Sequence, residues 1–233
     1  MAQQLPLVMI PGTMCDRRLW QALWPELEPL QPQHLAIPAG DSVAALVRSL
    51  AAALPDEPVN LLGFSLGGYL AAALATTYPE RVARLFICSN TPRALPDAEL
   101  KQRRQLLNWV ARHGYSGISE RKIAAMLAPE NRDREDIART MRAMDASLGE
   151  NVLVEQLGAT SERRDLVDAL VSLPLPVTFC YGEHDTLVTR SWVNELQEQR
   201  PDVVVREVQG AGHMLPLEQP LPLAREIRHW LAA

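Results

Sequence analysis

"LLGFSLGGYLAAALATTYPERV", Leu61 to Val82, decides the fold. An apolar run stops at Gly63, Ser65 follows, and Gly67 and Gly68 come just beyond it. A long apolar helical pattern then begins. Gly63-Phe64-Ser65-Leu66-Gly67 is G-x-S-x-G with a strand before it and a helix after it, the context that gives the motif meaning. A sharp strand-to-helix turn forces its central residue into a strained backbone. Side chains two positions to either side would collide with the turn, and glycine removes the collision. The turn lifts one hydroxyl clear of the sheet. It also sets that hydroxyl at a helix N-terminus, where unpaired N–H groups favour negative charge. Gly68 lets the helix backbone pack closely on the sheet.

A similar alternation recurs on both sides of this stretch. Strands are expected at "LPLVMIPG", "QHLAIPA", "EPVNLLGF", "VARLFICSN", "LPVTFCYG" and "DVVVREV". Helices are expected at "RRLWQALWPEL" (broken near Pro25), "DSVAALVRSLAAAL" (capped by Asp41 or Ser42), "LGGYLAAALATTYP" (stopped by Pro79), "SWVNELQEQ" and "PLPLAREIRHWLA". Strand–helix alternation implies an α/β fold: a mostly parallel central sheet with helices on both faces. From about Arg93 to Leu173 no convincing strand occurs. Helices are expected there at Asp97–Arg112, Gly117–Leu127, Asp133–Ser147 and Arg164–Leu173. The organisation read from this is a core of residues 1–92 and 166–233 with a helical insertion at 93–165. Leu100, Leu106, Leu107, Trp109, Val110, Ile118, Ile123, Met126, Leu127, Met141 and Met144 are apolar at helical spacing. Most are expected to pack the insertion onto the core, and a few to line a pocket. The mixed-sign run Glu130–Arg142 reads as a solvated helix face.

In such sheets ligands sit beyond the C-terminal ends of the strands. A serine hydroxyl there needs a base beside it, and the base needs an orienting acid, in the chain order Ser, Asp or Glu, His. "FCYGEHDTLVT" supplies Asp185 in the loop after one strand, with Glu183 as a fallback acid. "VQGAGHMLPLEQP" supplies His213 after the next. His184 precedes the acid, so the order fails. His34, His113 and His229 read as surface or packing histidines. An oxyanion formed at Ser65 needs backbone donors: the Leu66 N–H, and a second from "IPGTM", with Thr13 the first choice and Met14 the second.

The totals exclude other classes. The chain has 233 residues, 47% of them hydrophobic, a net charge of −5 and interspersed acids and bases. No basic stripe suggests nucleic acid, and neither a membrane span nor stable membrane association is expected. The N-terminal "MAQQLPLVMIPG" lacks a signal peptide's basic start and reads as the first strand of a mature cytoplasmic protein. Cys15, Cys88 and Cys180 stand far apart with no C-x-x-C spacing, so free thiols are expected, with Cys15 in a loop near the candidate site. No metal-ligand spacing and no cofactor motif occur. Nothing in the sequence addresses oligomeric state.

"MIPGTMCDRRLW", "LLGFSLGGYLAAALA", "LPVTFCYGEHDTLV" and "GAGHMLPLEQPLPLAREIRHWL" together resemble the α/β-hydrolase superfamily along nearly the whole chain. The match looks most like its small esterases, enol-lactonases and carbon–carbon bond hydrolases with a helical cap. Pro11-Gly12 stands where many members carry His-Gly. The resemblance implies Ser65 as nucleophile, His213 as base, Asp185 as acid, and Thr13 and Leu66 at the oxyanion hole. It also implies that the insertion is a cap shaping substrate choice. The expected activity is cofactor-independent hydrolysis of a small carbonyl substrate (carboxylic ester, thioester or lactone) through an acyl-enzyme. Two alternatives keep the same residues: a carbon–carbon hydrolase or lyase, and a non-catalytic ligand-binding protein. Serine rather than aspartate at the turn disfavours dehalogenase and epoxide-hydrolase chemistry.

Overall fold

The computed structural model describes residues 5–232; residues 1–4 and 233 of the expected core boundaries lie outside the described residues. Six parallel strands form one sheet: β1 (Leu7–Ile10), β2 (Gln33–His34), β3 (Val59–Phe64), β4 (Val82–Cys88), β5 (Val177–Gly182) and β6 (Val204–Val208), in the order β2-β1-β3-β4-β5-β6. All six expected strands form. β2 is much shorter than expected: after Leu35 N–H bonds Met9 O at 3.0 Å, the chain leaves the sheet edge ahead of Pro38, which has no N–H to donate.

Residues alternate between two apolar layers, as a strand's twofold period requires. Val8, Ile10, Leu61, Leu85 and Phe179 face one layer, packed by α2 (Val43–Ala53), α3 (Leu66–Thr77) and α8 (Arg190–Gln199). Leu7, Met9, Leu62, Phe64 and Phe86 face the other, packed by α1 (Trp24–Leu27) and α10 (Pro220–Ala232). Both faces of the sheet are therefore covered, which is why the inner strands read as continuous apolar runs. Ser42, not Asp41, caps α2 by accepting from the Ala45 N–H at 3.3 Å. Pro25 opens α1 rather than breaking a longer helix; Arg17–Trp20 before it is a 3₁₀ turn.

Between β4 and β5 lie α4 (Asp97–His113), α5 (Glu120–Met126), α6 (Glu135–Ala159) and α7 (Val167–Val171). α6 runs well beyond the expected Ser147, interrupted at Gly149, whose φ of 73° is not helical. The helix resumes past that glycine and continues to Ala159. Ile123, Leu127, Met141 and Met144 join the apolar layer of Leu7, Met9, Leu62, Phe64 and Phe86, and Val110 joins a small cluster with Met14, Leu153 and Leu157. Leu106 and Trp109 do not pack inward: they are 40% and 61% exposed, and Trp109 lies tilted against His113 with ring centroids 4.1 Å apart. Arg134–Asp136 and Arg142–Glu120 pairs give the mixed-sign run its solvated face. Asn131, within that run, is instead buried.

Trp20 Nε1–H donates to His34 Nδ1 at 3.2 Å. Burial holds the His34 pKa below its ordinary 6.5, with Asp16 pulling the other way. Below about pH 6.5 the unfolded chain therefore binds the proton more readily than the folded one. This contribution to stability is complete above that pH and is lost as pH falls through the lower folded value. Urea unfolding of the wild type and His34→Gln should show a stability gap that narrows from pH 8 to pH 5. A gap independent of pH would contradict this.

Candidate active site

Four loops at the C-terminal ends of β1, β3, β5 and β6 carry Thr13, Ser65, Asp185 and His213. Ser65 sits between β3 and α3 with φ 51° and ψ −119°, a conformation costing about 1–3 kcal/mol for a residue with a side chain. The surrounding glycines make it possible. A Cβ on Gly63 would stand 2.1 Å from the Gly67 carbonyl oxygen, and one on Gly67 would stand 2.3 Å from the Pro11 carbonyl oxygen. The Ser65 N–H is anchored to Cys88 O of β4 at 2.9 Å, so the strain is held by the sheet itself.

His213 Nε2 lies 2.9 Å from Ser65 Oγ. Its Nδ1 lies 3.0 and 3.1 Å from the two Asp185 carboxylate oxygens. A carboxylate can only accept, so Nδ1 carries the hydrogen and Nε2 presents its lone pair to the serine O–H. Asp185 and His213 are both buried, while Ser65 is partly open. Asp185 is fixed in turn by the Leu187 N–H, which donates to its Oδ1 at 2.9 Å. The arrangement can move a proton from the hydroxyl to the imidazole and hold the resulting charge pair away from water.

The two expected second donors differ. Met14 N–H donates to Gln156 Oε1 at 2.9 Å, so it is occupied and does not serve as a free donor in this arrangement. Among the described residues no acceptor takes the N–H of Thr13 or Leu66. The fallback acid Glu183 accepts from Gly210 N–H at 3.3 Å and lies beside His184 at 3.6 Å. His229 is exposed on α10. Cys88 and Cys180 are buried register partners on β4 and β5. Burial, with Asp16 adding to it, pushes the Cys15 thiol up to about 12, which makes it a poor nucleophile. Among the described residues no group of three or more His, Cys, Asp or Glu is placed to hold a metal ion, and no helix is long and apolar enough to cross a membrane.

Sequence reasoning missed Glu218. It lies in the short helix α9 (Leu215–Glu218), 3% exposed. One carboxylate oxygen accepts from Gly212 N–H at 2.9 Å, beside His213. The other accepts from Ala128 N–H at 2.7 Å and Asn131 Nδ2 at 2.9 Å, both in the segment after α5. His213 N–H donates to Met126 O at 2.8 Å in the same seam. The acid within the apolar "HMLPLEQP" was the available signal, since a carboxylate in such a run must find buried donors.

An alpha/beta hydrolase family model matches residues 7–226. The chain belongs to this family. It is 27% identical to a pimeloyl-[acyl-carrier protein] methyl ester esterase of Aeromonas hydrophila subsp. hydrophila, over 97% of this chain and 94% of that one. It superposes on a thermophilic esterase from Thermogutta terrifontis, solved with malate bound, with a TM-score of 0.82 and 26% identity, covering 98% and 89% of the two chains. An enol-lactonase from Burkholderia xenovorans LB400 gives a TM-score of 0.82 at 17% identity, covering 100% and 93%, and shares the fold.

Glu218→Ala leaves at least two buried N–H groups without an acceptor, each worth about 1–3 kcal/mol. Urea unfolding should show a loss of about 2 kcal/mol or more. A loss under about 1 kcal/mol would mean that these bonds are replaced at no cost.

Proposed function

We propose that this enzyme is a serine hydrolase of carboxylic esters that works through an acyl-enzyme on Ser65. The observation that carries the reading is the continuous chain Asp185–His213–Ser65, with Nε2 at 2.9 Å from the hydroxyl. His213 takes the serine proton as Oγ attacks the carbonyl, and Asp185 stabilises the imidazolium that forms. The Leu66 and Thr13 N–H groups receive the oxyanion, a role in which each donor is worth about 3–4 kcal/mol of transition-state stabilisation. His213 then returns its proton to the leaving alcohol and activates the water that releases the acid.

Similarity to a methyl ester esterase supports an ester with a small alcohol leaving group. Thioesters and lactones present the same carbonyl and remain within the proposed class. The helices of residues 93–165 act as a cap that shapes acyl choice. Their contact with the His213 loop through Met126, Ala128 and Asn131 supports this role.

A fluorophosphonate probe should label the peptide containing Ser65. Ser65→Ala should unfold at the wild-type temperature and lose about a thousandfold or more in kcat/KM on a short-chain ester. Labelling at another residue, or near-normal hydrolysis by Ser65→Ala, would overturn the assignment.

A further inference from the structure

Gly12 to Cys15 closes a β-turn, with Cys15 N–H donating to Gly12 O at 3.1 Å. The third residue of that turn, Met14, has φ 54°. Thr13, the second residue, is not among the positive-φ residues, so the positive φ of Met14 marks a type II turn, which favours Gly or Asn there. Met14 is neither. The type I alternative suits most residues and differs by reversal of the central peptide, the one joining Thr13 to Met14. Something outside the turn must therefore hold that peptide in place.

The outside partner is Gln156. Its Oε1 accepts the Met14 N–H at 2.9 Å, and both residues are buried. Gln156 lies in the part of α6 beyond the Gly149 interruption. The Met14 side chain packs against Val110 of α4 and Leu153 and Leu157 of α6. Helices far along the chain thus grip the turn twice, once by its N–H and once by its side chain. Reversal of the central peptide would exchange the directions of the Met14 N–H and the Thr13 C=O, and would disturb the backbone on which the Thr13 N–H is mounted.

We infer that Gln156 is a positioning residue, whose Oε1 keeps the Thr13–Met14 peptide in the type II orientation and thereby aims the Thr13 N–H at the oxyanion formed on Ser65. The inference rests on the serine-hydrolase reading given above. It makes the inserted helices part of transition-state stabilisation as well as a pocket wall, because a shift of α6 would move an oxyanion donor.

The test is steady-state kinetics on a short-chain p-nitrophenyl ester with Gln156→Leu, which removes the acceptor at similar volume. kcat should fall about tenfold or more while KM stays within about threefold, the pattern of a lost transition-state interaction. Gln156→Asn, too short to reach the N–H, should behave alike and covers the case in which the leucine variant does not fold. Adding Met14→Gly should restore at least half of the lost factor on a logarithmic scale, since glycine holds a positive φ unaided. A residue that only supports folding would lower the melting temperature without this kcat–KM split and without rescue. A kcat within twofold of wild type in the single variants, or a double variant no faster than the single, would overturn the inference. Absence of Ser65-dependent turnover in the wild type is a separate result; it would remove the serine-hydrolase reading and this inference with it.

Discussion

The whole site depends on one backbone constraint, the positive φ of Ser65. A residue with a side chain holds that conformation only when its surroundings over-determine it. Here the Ser65 N–H is tied to β4, its C=O accepts from the first turn of α3, and Gly63 and Gly67 keep clear the space the turn passes through. The hydroxyl is thus presented at a fixed point above the strand ends. Everything else that the proposed chemistry requires is arranged around that point. β5 and β6 lie successively beyond β4, so the loops that follow them bring Asp185 and then His213 within reach.

The sheet supplies the precision, and the inserted helices lock it. The His213 loop has buried partners on its insertion side: Met126 O takes its N–H, and Glu218 ties Gly212 to Ala128 and Asn131. On the opposite side Gln156 takes the Met14 N–H. Buried hydrogen bonds of this kind contribute little net stability each, but leaving one donor unpaired is costly. They therefore specify loop positions more than they add stability. Both loops that flank the proposed nucleophile donate to acceptors in the segment between β4 and β5, the His213 N–H to Met126 O and the Met14 N–H to Gln156 Oε1.

Local patterns carried much of this into the sequence. The β3–Ser65–α3 junction was legible because its glycines, its apolar run and its helical period all point to one turn. Asp185 and His213 were legible because each follows a strand in the required order. The same reasoning could not find Gln156, whose partner is 142 positions away and whose helical segment lies past Gly149, beyond the expected end at Ser147. It ranks Thr13 ahead of Met14 but cannot orient either N–H, since adjacent N–H groups in a turn point in directions that only the turn type sets. The apolar Leu35-Ala36-Ile37 continues a strand pattern after the chain has left the sheet edge, so the expected second strand is longer than the observed one. Helical spacing groups Trp109 with its apolar neighbours, although large apolar residues also occur singly on surfaces, as Trp109 does.

The proposed chemistry requires Ser65 as the attacking nucleophile. Rapid-quench mass spectrometry during turnover of a short-chain activated ester tests this most directly. The peptide containing Ser65 should gain the mass of the acyl group within the first turnover and lose it as substrate is exhausted. Product formation with no acyl adduct on that peptide at any time, including under acid quench, would contradict it.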